Sequence, residues 1–293
     1  MSDFLERLIV ERRADVAAAR GRVPERELIA NAELHPVANA LGETALSVRL
    51  SGDAFTTALQ RRRQEGRLAV IAEVKRVSPA LGVISDAVDP AFQALQYAAA
   101  GATAISVLTE PRHWGGSMAD LAAVRRAVKL PVLRKDVIID EYQLVEARAA
   151  GADAVLLIAE ALDDLLLQQL VSRAVNLGLG VLVEAHEPAA FGRAVATASR
   201  VVGVNARDLR DPKVIDAGRA RQLHMFVRSD QILVAESGIT SVDDARLLPA
   251  RVDAVLVGTA LMRAPDPAPL IRALASVRRT GPHARTTLQV SVE

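Results

Sequence analysis

The chain has 293 residues, 51% hydrophobic and 24% charged, a composition that buries a sizeable core. Its net charge of +1 leaves no large basic field for nucleic acid, and aromatic residues at 3% offer few platforms for stacking bases. The absence of cysteine excludes a disulfide framework, a thiolate metal site and a cysteine nucleophile.

The first twenty residues, "MSDFLERLIVERRADVAAAR", carry acids and arginines throughout and lack the apolar centre of a signal peptide. No run of about 18 apolar residues follows, so no membrane span is expected. These features predict a cytoplasmic protein without membrane or nucleic-acid partners. "FLERLIVERRADVAAARGRV" and "DAFTTALQRRRQE" have amphipathic helical spacing, with Pro24 between helical stretches. With so few large apolar groups, residues 1–67 make a thin core of their own. They are expected to form a helical extension packed on a larger domain, across one of its mouths.

From residue 68 a single beat recurs. Eight short apolar runs each stop at a polar residue or glycine: "LAVIAEVK", "TAISVLTE", "PVLRKD", "DAVLLIAE", "LGVLVEAH", "RVVGVNAR", "QILVAESG" and "VDAVLVGT". Between them lie helical patterns such as "DEYQLVEARAA" and "ALDDLLLQQLVSRAVNL", several closed by glycine (Gly101, Gly151, Gly178) just before the next run. The runs are nearly continuous in Val, Ile, Leu and Ala, as in parallel strands covered on both faces. Eight such units over residues 68–280 predict a (β/α)₈ TIM barrel with additional N-terminal helices. A doubly wound open sheet is the main rival, but no G-x-G-x-x-G follows the first run. Beyond Gly281 and Pro282 helical periodicity is lost, and 281–293 reads as a flexible tail.

In such a barrel chemistry sits at the C-terminal ends of the strands. Those ends carry Glu73 and Lys75, Ser106, Lys135, Glu184, Asn205 and Arg207, Glu236 and Ser237, then Gly258 and Thr259. Any one charge there is usually solvated or salt-bridged. Together they place three cations and three carboxylates around one opening, a set suited to proton transfer. Arg134, Lys135 and Asp136 are crowded into an apolar context, where charges are costly unless paired or used. The turns "AESGIT" and "VGTALM" after the last two strands resemble a phosphate cradle of main-chain N–H groups, although either alone reads as an ordinary tight turn.

The ordered segments "IAEVKRVSP" (71–79), "AISVLTE…WGGS" (104–117), "PVLRKD" (131–136), "QLVEARAAGADAVLLI" (143–158), "LVEAH" (182–186), "GVNARDL" (203–209), "AESGI" (235–239) and "VDAVLVGTALMR" (252–263) resemble the indole-3-glycerol-phosphate synthase family of tryptophan biosynthesis. The resemblance covers the whole barrel. It implies a decarboxylating lyase that cyclises 1-(2-carboxyphenylamino)-1-deoxyribulose 5-phosphate to indole-3-glycerol phosphate, with neither metal nor organic cofactor. By resemblance Lys135 is the general acid of ring closure and Glu184 the acid–base group of dehydration. Lys75, held by Glu73, neutralises substrate anions, while Asn205, Arg207 and Glu236 orient substrate and lysines. Ser78, Ser106, Trp114, Val137, Leu156 and Leu209 contact substrate; Ser237, Gly238, Gly258 and Thr259 hold phosphate. The expected partner is a phosphorylated small molecule. The chain itself would be a monomer or homodimer, with other tryptophan-pathway enzymes as possible contacts.

Two departures stand out. Val137 replaces the family's usual phenylalanine, a loss of apolar contact of about 1–3 kcal/mol. Ala80 and Leu81 stand where small polar and basic residues are usual. They suggest drift, or a paralogue accepting a substituted anthranilate. Phosphoribosylanthranilate isomerase, a barrel of the same pathway, relies on a cysteine base that this chain lacks. A non-catalytic phosphate-binding barrel predicts damaged acid–base residues, and none is visible.

Overall fold

The computed structural model describes residues 3–34, 53–85 and 88–279. The expected tail after 281 lies outside them. Among the described residues three helices come first: α1 (Phe4–Arg22), α2 (Glu25–Leu34) and α3 (Ala54–Gln64). Asp3 and Asp53 cap α1 and α3, accepting hydrogen bonds from Glu6 N at 2.8 Å and Thr56 N at 2.6 Å. Strand β1 (Ala69–Val74) opens the barrel, and a short antiparallel hairpin, β2 (Val77–Ser78) with β3 (Gly82–Val83), follows it. The helix–strand series then runs α4 (Pro90–Ala99), β4 (Ala104–Leu108), α5 (Met118–Ala127), β5 (Val132–Lys135), α6 (Glu141–Ala149) and β6 (Ala154–Ile158). It continues with α7 (Asp164–Asn176), β7 (Gly180–Ala185), α8 (Pro188–Ala196), β8 (Val201–Asn205), α9 (Arg219–Leu223) and β9 (Ile232–Glu236). It ends with α10 (Val242–Leu247), β10 (Ala254–Val257), α11 (Thr259–Arg263) and α12 (Ala268–Ser276).

β1 and β4–β10 close into one parallel barrel, in the order β1-β10-β9-β8-β7-β6-β5-β4. Each of the eight predicted apolar runs is one of these strands. The helix ends also fall where glycine announced them; Gly151, at φ 88°, takes the left-handed turn between α6 and β6.

Strand side chains alternate between two apolar layers. Val70, Ala72, Val155, Leu157, Val181 and Val183 belong to the outer layer under the helices. Ala69, Ile71, Leu133, Ala154, Leu156, Leu182, Val234 and Leu256 fill the barrel. Continuing each inward series by two residues reaches Glu73, Ser106, Lys135, Glu184, Asn205, Glu236 and Gly258. Parity therefore aims this whole set at one mouth.

The leading helices divide between the two ends rather than covering one. α3 touches β1, β7 and β9, its Phe55 and Leu59 join the interior apolar cluster, and Asp53 lies against Gly180 at the start of β7. It plugs the N-terminal mouth. α1 lies over the opposite rim. Its buried Arg12 reaches Asp136 just past β5 at 3.1 Å, Arg20 reaches Asp140 at 2.7 Å, and Phe4 N donates to Arg210 O at 3.1 Å.

Candidate active site

The three crowded charges at the end of β5 separate by parity. Arg134 points outward and is 1% exposed. Its guanidinium pairs with Asp136 at 2.9 Å and Glu146 at 2.8 Å, and donates to Gln143 O at 2.6 Å. Asp136 also accepts from Thr109 Oγ1 at 2.6 Å. Those two charges are structural. The Gln143 amide then spans the following loop, accepting from Ile139 N at 2.8 Å and donating to Val137 O at 3.0 Å, which fixes Val137.

Lys135 alone of the three enters the barrel. Its Nζ lies 3.1 Å from Glu184 Oε2 and 3.5 Å from Glu236 Oε2. Burial by itself pushes the ammonium toward its neutral form, but Glu184, Glu236 and Glu73 outweigh it and raise the pKa above that of ordinary lysine. Lys135 is thus held protonated. At Glu236 burial prevails: with Glu184 beside it, burial pushes its carboxyl well above the usual range against the pull of Lys135. Neither Glu236 oxygen has a hydrogen-bond partner, nor does Glu73 Oε2 or the Ser106 hydroxyl. Buried polar atoms rarely stay unpaired without reason; here those of Glu73 and Glu236 face a cavity.

Around this core, Lys75 pairs with Glu73 at 3.0 Å. Asn205 donates to Glu184 Oε1 at 3.4 Å, while its own Oδ1 accepts from Ser237 Oγ at 2.8 Å and Arg207 N at 3.0 Å. Burial lowers the Arg207 pKa, with Glu73 opposing, and its guanidinium donates to the Pro212 carbonyl across its own loop. Next to this array, His186 accepts from Arg219 at Nε2 (3.2 Å), which leaves Nδ1–H to donate to Asn205 O at 2.9 Å.

The cavity holds about 270 Å³ and opens at the C-terminal mouth. Its polar floor is Glu73, Lys75, Lys135, Glu184, Asn205 and Glu236. One wall is apolar, from Trp114, Val137, Leu156 and Leu209, with Ser78 and Leu81 of the hairpin at the rim. The other side is the pair of turns holding Ser237, Gly238, Gly258 and Thr259.

Of the predicted residues Ser106 departs from its expected place, and Ser237 and Gly258 have duties beyond the expected ones. Ser106 is fully buried, paired in register with Glu73, and does not line the cavity. The Ser237 hydroxyl is spent on Asn205, so this turn offers an anion main-chain N–H groups; Ser237 at φ 64° and Gly238 at φ 74° aim successive amides together. Gly258 has a second duty. A Cβ there would overlap the Glu73 carboxylate, just as one at Gly203 would overlap that of Glu236.

Residues not singled out from sequence also build the site. The ring of Phe4 meets Trp114 edge-on at 6.1 Å and His113 at 5.0 Å, so α1 completes the aromatic wall. Glu110 is fully buried and accepts from His113 N at 2.6 Å and Trp114 N at 3.1 Å, holding the loop that carries the tryptophan. Arg263, the last residue of α11, lines the cavity beside Thr259. Among the described residues one trio of possible metal ligands converges, His186, Glu187 and Asp208. Arg210 already bridges its two carboxylates at 2.7 and 2.9 Å.

A closed barrel of eight parallel strands, with an ammonium between two carboxylates at its C-terminal mouth, defines a (β/α)₈ protein with an acid–base centre. Known proteins narrow the class. The family model for indole-3-glycerol phosphate synthase matches residues 5–274. The chain is 41% identical over 268 residues to the indole-3-glycerol phosphate synthase of Laribacter hongkongensis, covering 91% of this chain and 97% of that one. It is 52% identical over 210 residues to that of a Nocardioides species, covering 71% and 80%. The chain belongs to the indole-3-glycerol phosphate synthase family. Among solved structures, thiamine phosphate pyrophosphorylase from Pyrococcus furiosus superposes with a TM-score of 0.52 at 21% identity, over 72% of this chain and 95% of that one. A protein from Aquifex aeolicus does so with a TM-score of 0.56 at 12% identity, over 78% and 99%. At these identities the likeness is one of fold.

Proposed function

We propose that the protein is an indole-3-glycerol phosphate synthase, cyclising 1-(2-carboxyphenylamino)-1-deoxyribulose 5-phosphate with loss of carbon dioxide and water. The observation that carries the reading is Lys135, held charged between Glu184 and Glu236 on the floor of a cavity with one apolar and one amide-lined side. The anthranilate ring rests on the wall of Trp114, Val137 and Leu156, and the phosphate takes the turns at 237–238 and 258–259.

The aromatic carbon bearing the carboxylate attacks the ketone carbon, and Lys135 delivers a proton to the ketone oxygen. Carbon dioxide then leaves and returns its electron pair to the ring. Loss of the new hydroxyl as water needs an acid for the leaving oxygen and a base for a proton, and Glu184, within reach of Lys135 and Asn205, serves this step. Lys75 offsets substrate charge, with Glu73 holding its ammonium at 3.0 Å. Val137, 2% exposed in the apolar wall, leaves space where a larger side chain would close it, so a ring-methylated substrate is the probe of pocket width.

Turnover is followed by the fluorescence of the indole product. Lys135→Met removes the ammonium and keeps the aliphatic stem. We expect kcat to fall about 10³-fold or more, with thermal unfolding still cooperative. Wild-type protein that binds substrate without forming indole refutes the reading in favour of a non-catalytic barrel.

A further inference from the structure

Four cations line the cavity: Lys75, Lys135, Arg207 and Arg263. The first three are committed within the protein. Lys75 is paired with Glu73, Lys135 with Glu184 and Glu236, and the Arg207 guanidinium with the Pro212 carbonyl. Arg263 is exposed and, among the described residues, makes no hydrogen bond or ion pair. It stands four positions after Thr259 on α11, so both side chains lie on one helix face, and Thr259, Ala260 and Arg263 line the cavity together.

We infer that Arg263 is a further substrate-binding residue, an exposed guanidinium at the cavity rim that pairs with the phosphate held by the turns at 237–238 and 258–259. The inference rests on the proposed function. The amide groups of those turns bear only partial charge, and the lysines inside the barrel are already partnered by carboxylates. Arg207 also brings a charge to the cavity, but among the described residues Arg263 is the lining cation whose side chain has no protein partner, and it shares a helix with Thr259, which suits it to meet a phosphate dianion at those turns. Because the guanidinium waits in solvent, its field also draws the anionic substrate toward the mouth, a contribution that salt screens. It touches no reacting atom, so its effect belongs to binding.

The test compares wild type, Arg263→Gln and Arg263→Lys by steady-state turnover at low and high salt, and by calorimetric titration with inorganic phosphate. For Arg263→Gln we expect KM to rise about fivefold, kcat to stay within about twofold, phosphate affinity to fall by a similar factor, and the salt dependence of kcat/KM to flatten. Arg263→Lys should recover most of the loss. If Arg263→Gln keeps wild-type KM, phosphate affinity and salt dependence while the wild type forms indole, this inference fails and the proposed function stands. A fall in kcat at unchanged KM also overturns it. A wild type that forms no indole takes both away.

Discussion

Adding one methyl group at Gly203 should disable the acid–base centre from a position that touches no substrate. Gly203 lies in the middle of β8, outside the left-handed region, so alanine suits its backbone. The obstacle is steric. A Cβ there would sit far inside van der Waals contact of Glu236 Oε1, and at 3.2 and 3.3 Å from Leu182 Cδ1 and Glu184 Cβ. Glu236 must move, which breaks its 3.5 Å approach to Lys135 and disturbs the Glu184 partner at 3.1 Å. Overpacking of this kind costs about 1–3 kcal/mol, or a fall of about 2–5 °C in Tm for a chain of this length. Displacing a catalytic array by about 1 Å lowers kcat about 100-fold. Gly203→Ala is therefore measured by thermal unfolding and by indole formation. Gly192→Ala is its control: Gly192 is exposed in α8 with nothing near its missing Cβ, and alanine there should stabilise by about 0.5–1 kcal/mol with turnover unchanged. In the background of Gly203→Ala, Glu236→Asp withdraws the obstructing carboxyl and should recover part of the Tm without the activity. Wild-type Tm and kcat in Gly203→Ala would refute the claim that an absent side chain makes room for Glu236.

The raised pKa of Glu236 has a signed consequence for stability. The folded chain keeps a proton that the unfolded chain releases above about pH 4, so this group costs stability as pH rises from there towards its folded pKa. Glu236→Gln should leave Tm nearly unchanged at about pH 4 and raise it increasingly as pH climbs from there; a constant or shrinking difference contradicts the assignment. Outside the cavity, Arg134→Leu strips a buried guanidinium from Asp136 and Glu146 and leaves Asp136 with Arg12 and Thr109. That should destabilise by about 3–5 kcal/mol, lowering Tm by about 5–8 °C, and a fall under about 3 °C would show the pair to be dispensable.

Most of the barrel and its ring of polar strand ends are legible along the chain. Eight buried runs with glycine-stopped helices between them have few other closed solutions, and a period of two carries each inward series from Ile71 to Glu73, from Leu133 to Lys135 and from Leu182 to Glu184. Local pattern suffices because strand parity and helix termination are set by neighbouring residues. What it leaves undecided are matters between strands and between ends of the barrel. In "RKD" every residue is polar enough to face a cavity, and only the closed barrel brings Glu184 and Glu236 to Lys135 while Arg134 pairs with Asp136 outside. Nothing in the sequence marks Gly203, or shows that Gly258 does more than serve the phosphate turn, until β9 and β1 bring carboxyls into the space where their side chains would be. The rim residues Phe4 and Arg263 lie at opposite ends of the chain, and no spacing could join them to one mouth; packing of α1 and α11 on the closed barrel does so.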